Sequence, residues 1–237
     1  MVINRLGKLV VWKRIMKYLY CLLNIVFLLI PALSAAQTTI QLFNHKNLEG
    51  WYAYAPEYGK LANASELFSV EDSMIRLYGG KAGYLMSTQS FHDFKLSVEF
   101  RWNTDTTFVR KNNTKNSGVM YLVPIETPDI LWPKGIQFQI KEGSTGDFIL
   151  LQEVTLEING KKTEPGKSVV IKRFDDAIKP DEEWNKLVVT FVKSTIKQEL
   201  NGKLVNEGNN PSVLEGRILL QYEGFPIDFR KIEIERL

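Results

Sequence analysis

Strict alternation of apolar and polar residues constrains the fold of this chain more than any other feature. The segment DFKLSVEFRW alternates from Phe94 to Trp102, and GIQFQIK does the same from Ile136 to Ile140. Successive side chains of a β-strand point to opposite faces, so this alternation predicts strands with one buried face. The polar face of the second segment presents two neighbouring glutamines, Gln137 and Gln139.

Turn signals separate further short strands along residues 37–237. The segment TIKQELNGKLVNEG predicts a hairpin closed by a type I′ turn at Asn201-Gly202. No stretch shows helical periodicity over three or more turns, and we find no internal repeat. The pattern predicts a single all-β domain over residues 37–237, a β-sandwich or jelly roll of antiparallel strands with Trp51 in its core.

The N-terminal segment has the layout of a secretory signal peptide. Basic residues precede an apolar run from Leu19 to Leu33, and the small residues of LSAAQ follow it. We expect residues 1–36 to be cleaved before Gln37, which predicts export across the inner membrane to the periplasm or the outside of the cell. The alternative is an uncleaved anchor, but the run is short for a membrane span and contains Asn24 and Pro31. After cleavage we expect no stable insertion in the membrane.

Removal of that segment changes the charge balance. It holds five of the 30 Lys and Arg residues and none of the 27 Asp and Glu residues, which leaves 25 basic side chains. A nearly balanced chain gives no reason to expect a nucleic-acid partner. The single cysteine, Cys21, is in the removed segment, so the mature domain has no disulfide, thiolate nucleophile or cysteine-ligated zinc. Only His45 and His92 supply imidazole, which argues against a histidine-rich metal site.

Five stretches taken together resemble one family. They are QLFNHKNLEGWYAY, NSGVMYLV, WPKGIQFQIKEGSTGDFILL, EWNKLVVTFVKSTIKQELNGKLVNEG and GRILLQYEGFPIDFRKIEIERL, which in this order cover roughly residues 40–237. Each is weak alone, but the ordered set resembles the 3-keto-disaccharide hydrolase domain family, formerly domain of unknown function 1080. The resemblance implies a concanavalin A-like lectin/glucanase fold, a secreted bacterial protein and cleavage of glycosides whose sugar carries a ketone at C3.

The chemistry of such a substrate defines the groups that the site needs. A ketone at C3 acidifies the proton on C2, so a base can remove it, the enolate can expel the C1 substituent, and water can add back. The site therefore needs a base, an acid for the departing oxygen and a donor or cation near the enolate oxygen. Among the residues that match the family motifs, we expect Glu142 or Glu223 as base or acid and Arg230 to stabilise the enolate. Arg101, on the polar face of its own strand, is the alternative to Arg230.

A further set of residues would bind the sugar. The candidates are Gln137, Gln139, Gln198, Gln221, Arg101, Asp147 and Tyr54, the last as a stacking platform beside Tyr58. The family pattern usually has Glu at Gln137, His at Gln198 and Arg or His at Leu122. Neutral amides bind sugar hydroxyls but do not exchange protons at physiological pH. The alternative is therefore a non-catalytic carbohydrate-binding module that uses the same concave face, and a third reading is a jelly roll that binds another protein.

No cofactor is predicted, and we predict no metal-ligand set. Four aspartates in loops could bind a calcium ion, but their spacing matches no defined calcium loop. They are Asp129, Asp175, Asp176 and Asp181. Solvated acidic loops are the default interpretation. The expected partner is a carbohydrate, and the sequence sets no oligomeric state.

Overall fold

The structure is a computed structural model that describes Met16, residues 39–110 and residues 113–237. Contacts divide the chain into two compact units, residues 1–36 and residues 37–237, and the second is the subject here. The predicted signal peptide lies outside the described residues and stays a prediction. In the part of the chain that is described, no helix has the length and apolar character needed to cross a membrane.

The second unit is built almost entirely from short strands. Strands β1 to β9 are Thr39–Gln41, Trp51–Ala55, Gly59–Leu61, Ser69–Glu71, Met74–Leu77, Gly83–Phe91, Phe94–Trp102, Asn116–Val123 and Gly135–Lys141. Strands β10 to β18 are Phe148–Leu151, Glu157–Ile158, Lys161–Lys162, Ser168–Ile171, Asn185–Val192, Thr195–Leu200, Lys203–Asn209, Gly216–Tyr222 and Ile227–Arg236. One turn of 3-10 helix, Ala64–Glu66, precedes β4.

The strands form two antiparallel sheets. The ten-stranded sheet has the order β12-β11-β16-β15-β14-β7-β18-β5-β4, and β1 also pairs with β18. The eight-stranded sheet has the order β13-β10-β9-β8-β17-β6-β2-β3. The predicted all-β fold, a concanavalin A-like jelly-roll sandwich of antiparallel strands, is confirmed.

The core lies between the inner faces of the two sheets, where the alternating segments place their apolar residues. Phe94, Leu96, Val98, Phe100 and Trp102 of β7 belong to it, as do Ile136, Phe138 and Ile140 of β9. Burying one such side chain contributes roughly 1.5–3 kcal/mol. The predicted alternation is therefore confirmed in both strands, and it turns Gln137 and Gln139 to the outer face of the eight-stranded sheet.

Two local predictions are also confirmed. Asn201 and Gly202, both with positive φ, close the β15–β16 hairpin, in which Leu200 pairs with Lys203. Trp51 is buried, and its indole nitrogen donates to the carbonyl oxygen of Leu42 at 2.7 Å. The connection from β8 to β9, residues 124–134, starts with a turn in which the amide of Thr127 donates to Pro124.

Candidate functional site

The outer face of the eight-stranded sheet carries a row of amide side chains. In the strand register Gln139 of β9 is opposite Gly118 of β8, and Gly118 is opposite Gln221 of β17. Gln137 is opposite Met120, which is two residues beyond Gly118 along β8. Because strands alternate their side chains, these residues share one face.

Gly118 makes room in this row for the side chain of Gln137. A Cβ atom at Gly118 would lie 2.5 Å from Cδ and Nε2 of Gln137, closer than two such atoms can approach. The amide of Gln137 therefore lies across the glycine and donates to Oε1 of Gln139 at 2.6 Å. The missing side chain at one position thus sets the position of the glutamine next to it.

Two further amides converge on a carboxylate. Nε2 of Gln221 donates to Oε1 of Glu223 at 2.7 Å, and Nδ2 of Asn116 donates to Oε2 of the same group. Lys141 lies opposite Asn116 on the same face. We call this patch, formed by Asn116, Gln137, Gln139, Gln221 and Glu223, the amide face.

Two acceptor atoms of the amide face are buried without a partner among the described residues. They are Oδ1 of Asn116 and Oε1 of Gln221. In the full-length chain Gln137 and Gln221 are each 3% exposed. A buried acceptor without a donor costs free energy, so the face is complementary to a ligand that donates hydrogen bonds.

Glu223 has the altered acidity that proton transfer requires. Burial raises the pKa of Glu223 above its usual value, and this outweighs the opposing effects of the hydrogen bond from Asn116 and the charge of Lys141. A carboxyl group with a raised pKa is a stronger base when ionised and a usable acid when protonated. The positive charge of Lys141 lies on the same face, where it can stabilise a developing anion.

The other predicted carboxylates occupy different surroundings. The side chain of Glu142 is 69% exposed and lies 3.8 Å from Lys115, in a cavity of about 390 Å³ that Arg173 and Asp176 also line. Asp147 is buried, and its Oδ1 accepts the backbone amide of Arg173 at 2.9 Å. Asp147 therefore ties β10 to the segment after β13, and Glu142 faces a separate cavity.

Arg101 and Arg230 do not join the amide face. Both lie on the outer face of the ten-stranded sheet, where Arg101 donates to Asp228 at 2.9 Å and Arg230 donates to Glu99 at 2.7 Å. Their guanidinium carbons lie 4.8 and 3.8 Å from the centre of the Trp184 ring. To stabilise an enolate beside the glutamines, the two arginines would have to share a surface with them. The core of the sandwich separates the arginines from the glutamines.

Gln198 does not reach this surface either. It is fully buried on the inner face of β15 between Ile196 and Leu200, and its Nε2 donates to the hydroxyl of Tyr121 at 2.9 Å. Burial raises the pKa of Tyr121, so this hydroxyl stays neutral. The apolar neighbours on both sides were the sequence signal that Gln198 points inward.

Aromatic residues continue the row beyond Gln221. Tyr84 of β6 is opposite Gln221, and Tyr54 of β2 is opposite Tyr84. The two rings stack with centroids 5.1 Å apart and an interplanar angle of 24°. Tyr54, a predicted stacking residue, thus lies on the same face as the glutamines, whereas Tyr58 lies outside the strands and is largely exposed.

Sequence reasoning missed three groups on or beside this surface. Asn116 and Lys141 lie within the family motifs but have no predicted role, although alternation places Lys141 on the face of Gln139. Asp129 was assigned to a solvated loop, yet it accepts hydrogen bonds from the hydroxyls of Tyr52 and Tyr84. The first two had a local signal, and Asp129 had none because only the folded loop brings it there.

The described residues include the four loop aspartates that left a calcium ion open. No group of three or more His, Cys, Asp and Glu side chains is arranged to hold an ion there. Asp175 and Asp176 form ion pairs with Lys203 and Arg173, and Asp181 pairs with Lys115. The aspartates that left a calcium ion open are thus held by other side chains.

Comparisons with known proteins agree with this architecture. A family model described as the 3-keto-alpha-glucoside-1,2-lyase-like domain matches residues 38–235. Comparison with curated protein sequences found no match.

Solved structures with the same fold include two proposed glycosyl hydrolases from Parabacteroides distasonis ATCC 8503. One is 18% identical over 84% of this chain and 94% of its own, with a TM-score of 0.60. The other is 22% identical over 84% of this chain and 100% of its own, with a TM-score of 0.56. LamA E269S from Z. galactanivorans, in complex with laminaritriose and laminaritetraose, is 15% identical over 79% of this chain and 92% of its own, with a TM-score of 0.52.

Proposed function

This chain belongs to the 3-keto-alpha-glucoside-1,2-lyase-like domain family, and on that premise we propose that it is an exported protein that cleaves 3-keto-glycosides at the amide face. The family and the similar structures support a carbohydrate-active jelly roll, either hydrolase-like or carbohydrate-binding. The choice of a 3-keto substrate and of cleavage is our proposal.

The observation that carries the proposal is the environment of Glu223. Of the carboxylates that the sequence singled out, it is the one that lies among the amides, with its pKa raised by burial. The neighbouring glutamines offer donors and acceptors suited to sugar hydroxyls. A proton-transfer group beside neutral hydrogen-bonding groups is what an elimination next to a ketone requires.

The steps follow from the chemistry of the substrate. The carboxylate of Glu223 takes the proton from C2, and the charge that develops on the C3 oxygen is stabilised by Lys141. The enolate then expels the C1 substituent, whose oxygen receives the proton from Glu223. This leaves an enone and a free alcohol, and water adds across C1 and C2 to complete a net hydrolysis.

A non-catalytic carbohydrate-binding module is the second candidate, and the neutrality of Gln137, Gln139 and Gln221 favours it. Amides retain a sugar by hydrogen bonds without transferring protons. LamA E269S, which shares the fold, is described with bound laminaritriose, which supports a carbohydrate ligand on a sandwich of this type. In this reading Glu223 accepts hydrogen bonds only.

The test uses protein expressed from the full-length chain and purified after export. It is mixed with an aryl 3-keto-glucoside and, in parallel, with the unoxidised aryl glucoside, and aglycone release is followed against an enzyme-free control. We expect release from the keto substrate alone, since only the ketone acidifies C2. Binding of either sugar without release contradicts cleavage and supports the binding module, whereas absence of both contradicts a carbohydrate role at this face.

A further inference from the structure

Two hairpins of the ten-stranded sheet are closed by the same dipeptide. Asn201-Gly202 joins β15 to β16, and Asn159-Gly160 joins β11 to β12. The surrounding residues are nearly the same, LNGK in the first turn and INGK in the second. Both asparagines have φ of 52°, and the glycines have φ of 82° and 75°, as a type I′ turn requires. Any difference in the chemistry of the two turns must therefore come from their surroundings.

An Asn-Gly pair is able to modify itself without an enzyme. The backbone nitrogen of the glycine attacks Cγ of the asparagine, and the side-chain amide leaves as ammonia with the proton of that nitrogen. The product is a five-membered succinimide ring, which water opens at either carbonyl to leave aspartate or isoaspartate. Glycine favours ring closure because it has no side chain to obstruct the approach.

The carboxamide group of Asn201 is held by segments outside its own hairpin. The backbone amide of Lys186 donates to its Oδ1 at 2.8 Å. Its Nδ2 donates to the carbonyl oxygen of Ala177 and to Oδ1 of Asn185, both at 2.8 Å. Its Cγ cannot turn toward the nitrogen of Gly202 until these hydrogen bonds break.

The carboxamide group of Asn159 has no such restraint. The side chain is exposed and makes no hydrogen bond to any other described residue. Gly160 is also exposed, as are Lys161 and Lys162, the two residues of β12. In the part of the chain that is described, nothing holds the Cγ atom of Asn159 away from the nitrogen of Gly160.

Ring closure also requires the backbone of the asparagine to rotate out of the turn, which happens when the hairpin opens locally. The β11–β12 hairpin has two residue pairs, and β11 joins the rest of the sheet at one pair, Glu157 with Asn209. One bond from the amide of Thr163 to Leu156 closes its base. The β15–β16 hairpin has six pairs, and β15 makes six more with β14. A short hairpin at the edge of a sheet opens at a lower free-energy cost than a long central one.

We propose that Asn159 is a self-modification site, which converts spontaneously to aspartate and isoaspartate through a succinimide, and that Asn201 is protected from the same reaction. Isoaspartate routes the backbone through Cβ and so adds one atom to a two-residue turn. Ile158 and Lys161 then no longer face each other in the register that the hairpin now has. The modification therefore accumulates with the age of the molecule and loosens β12 at the edge of the ten-stranded sheet.

The experiment follows both turns in one sample. Protein expressed from the full-length chain and purified after export is incubated at mildly alkaline pH, and samples are digested with a protease. Mass spectrometry of the peptides detects the replacement of an amide by a carboxyl group, and a methyltransferase specific for isoaspartate labels that product. The synthetic peptides EINGKK and ELNGKL, incubated in parallel, give the rates without a fold.

Asn159→Gln is the matched variant. It keeps a carboxamide at the same position, but ring closure would need a less favourable six-membered ring. We expect the peptide that contains the β11–β12 turn to carry the isoaspartate label in the wild type and to lose it in this variant. Persistence of the label in that peptide would contradict the assignment to Asn159.

The comparison of the two turns gives the expected magnitude. The two synthetic peptides should react at similar rates. In the folded protein Asn201 should react roughly 10²-fold more slowly than Asn159, the factor that three hydrogen bonds of ordinary strength provide. An unchanged Asn159 over the time in which EINGKK is converted contradicts the proposal. Equal rates at the two asparagines of the folded protein contradict it as well, because the surroundings would then protect neither turn.

Discussion

The two outer faces of the sandwich differ in how their polar groups are paired. On the ten-stranded sheet, charged residues neutralise one another: Arg101 bonds to Asp228, and Glu99 accepts hydrogen bonds from both Arg230 and Lys231. On the eight-stranded sheet, neutral amides surround Glu223, and acceptor atoms of Asn116 and Gln221 lack a donor among the described residues.

The difference teaches which kind of polar surface is free to act on a ligand. Charges that already bind each other gain little from a ligand, because it would have to replace existing ion pairs. Buried acceptors without donors gain the full value of each hydrogen bond that a ligand brings. The pairing of polar groups, rather than the number of charges, therefore distinguishes the candidate site from the solvated face.

The largest expected effect separates the two faces by activity. Glu223→Gln removes the proton-transfer group and retains one acceptor oxygen on a side chain of the same shape, so turnover of the aryl 3-keto-glucoside should fall by about 10²- to 10⁴-fold. Arg230→Gln, on the opposite face, is the control, and we expect its turnover to stay within about twofold of wild type. Full activity in Glu223→Gln, or a comparable loss in Arg230→Gln, would reverse the comparison.

A smaller effect is expected from filling the space above Gly118. In Gly118→Ala the added Cβ would lie 2.5 Å from the amide of Gln137, which must move away from Gln139. We expect sugar affinity, measured by calorimetry, to fall roughly tenfold and the free energy of unfolding to fall by about 1–3 kcal/mol.

The matched variant for that experiment is Ser97→Ala on the outer face of the ten-stranded sheet. Ser97, like Gly118, is an outward-facing position within a strand, and it is opposite Val188 in the register. It lies on the other sheet from the amide face. We expect unchanged affinity for the sugar. Wild-type affinity in Gly118→Ala would show that the position of Gln137 does not matter for binding.

The smallest effect concerns the sign of the pH dependence of stability. Burial raises the pKa of Glu223, so its contribution to stability is complete below the unfolded pKa and is lost as pH rises through the folded pKa. Burial also acts to raise the pKa of Glu99, but hydrogen bonds from Lys231 and Arg230 outweigh it and lower the pKa. The contribution of Glu99 is present above the unfolded pKa and is lost as pH falls through the folded pKa.

Thermal unfolding of two variants at pH 4 and pH 7 measures these signs. The stability of Glu223→Gln relative to wild type should be higher at pH 7 than at pH 4. The stability of Glu99→Gln relative to wild type should be lower at pH 7 than at pH 4. If both variants shift in the same direction, the two carboxylates do not occupy the opposite environments described here.

Local patterns predicted the strands and their buried faces because side-chain direction alternates along the chain itself. The inward positions of Phe94 and Ile136 and the turn at Asn201 follow from neighbouring residues alone. The same alternation places Gln198 beside Ile196 and Leu200, so its burial was within reach of the sequence.

Other features of the site depend on which strands become neighbours. Alternation turns Arg230 outward, but only the pairing of β18 with β7 shows that it lies on the ten-stranded sheet beside Glu99. The position of Asp129 on this face depends on the path of a loop and on hydrogen bonds from tyrosines 77 and 45 residues away. Contacts between distant segments have no local signature, so the candidate site was only partly predictable.

The neutrality of the amide row has a consequence for the conditions under which a ligand is retained. Mobile ions screen interactions between exposed charges but have little effect on short hydrogen bonds between neutral groups. Hydrogen bonds to Gln137, Gln139 and Gln221 should therefore keep their strength from dilute to saline surroundings. A protein that holds its ligand in this way is suited to surroundings whose ionic strength it does not control.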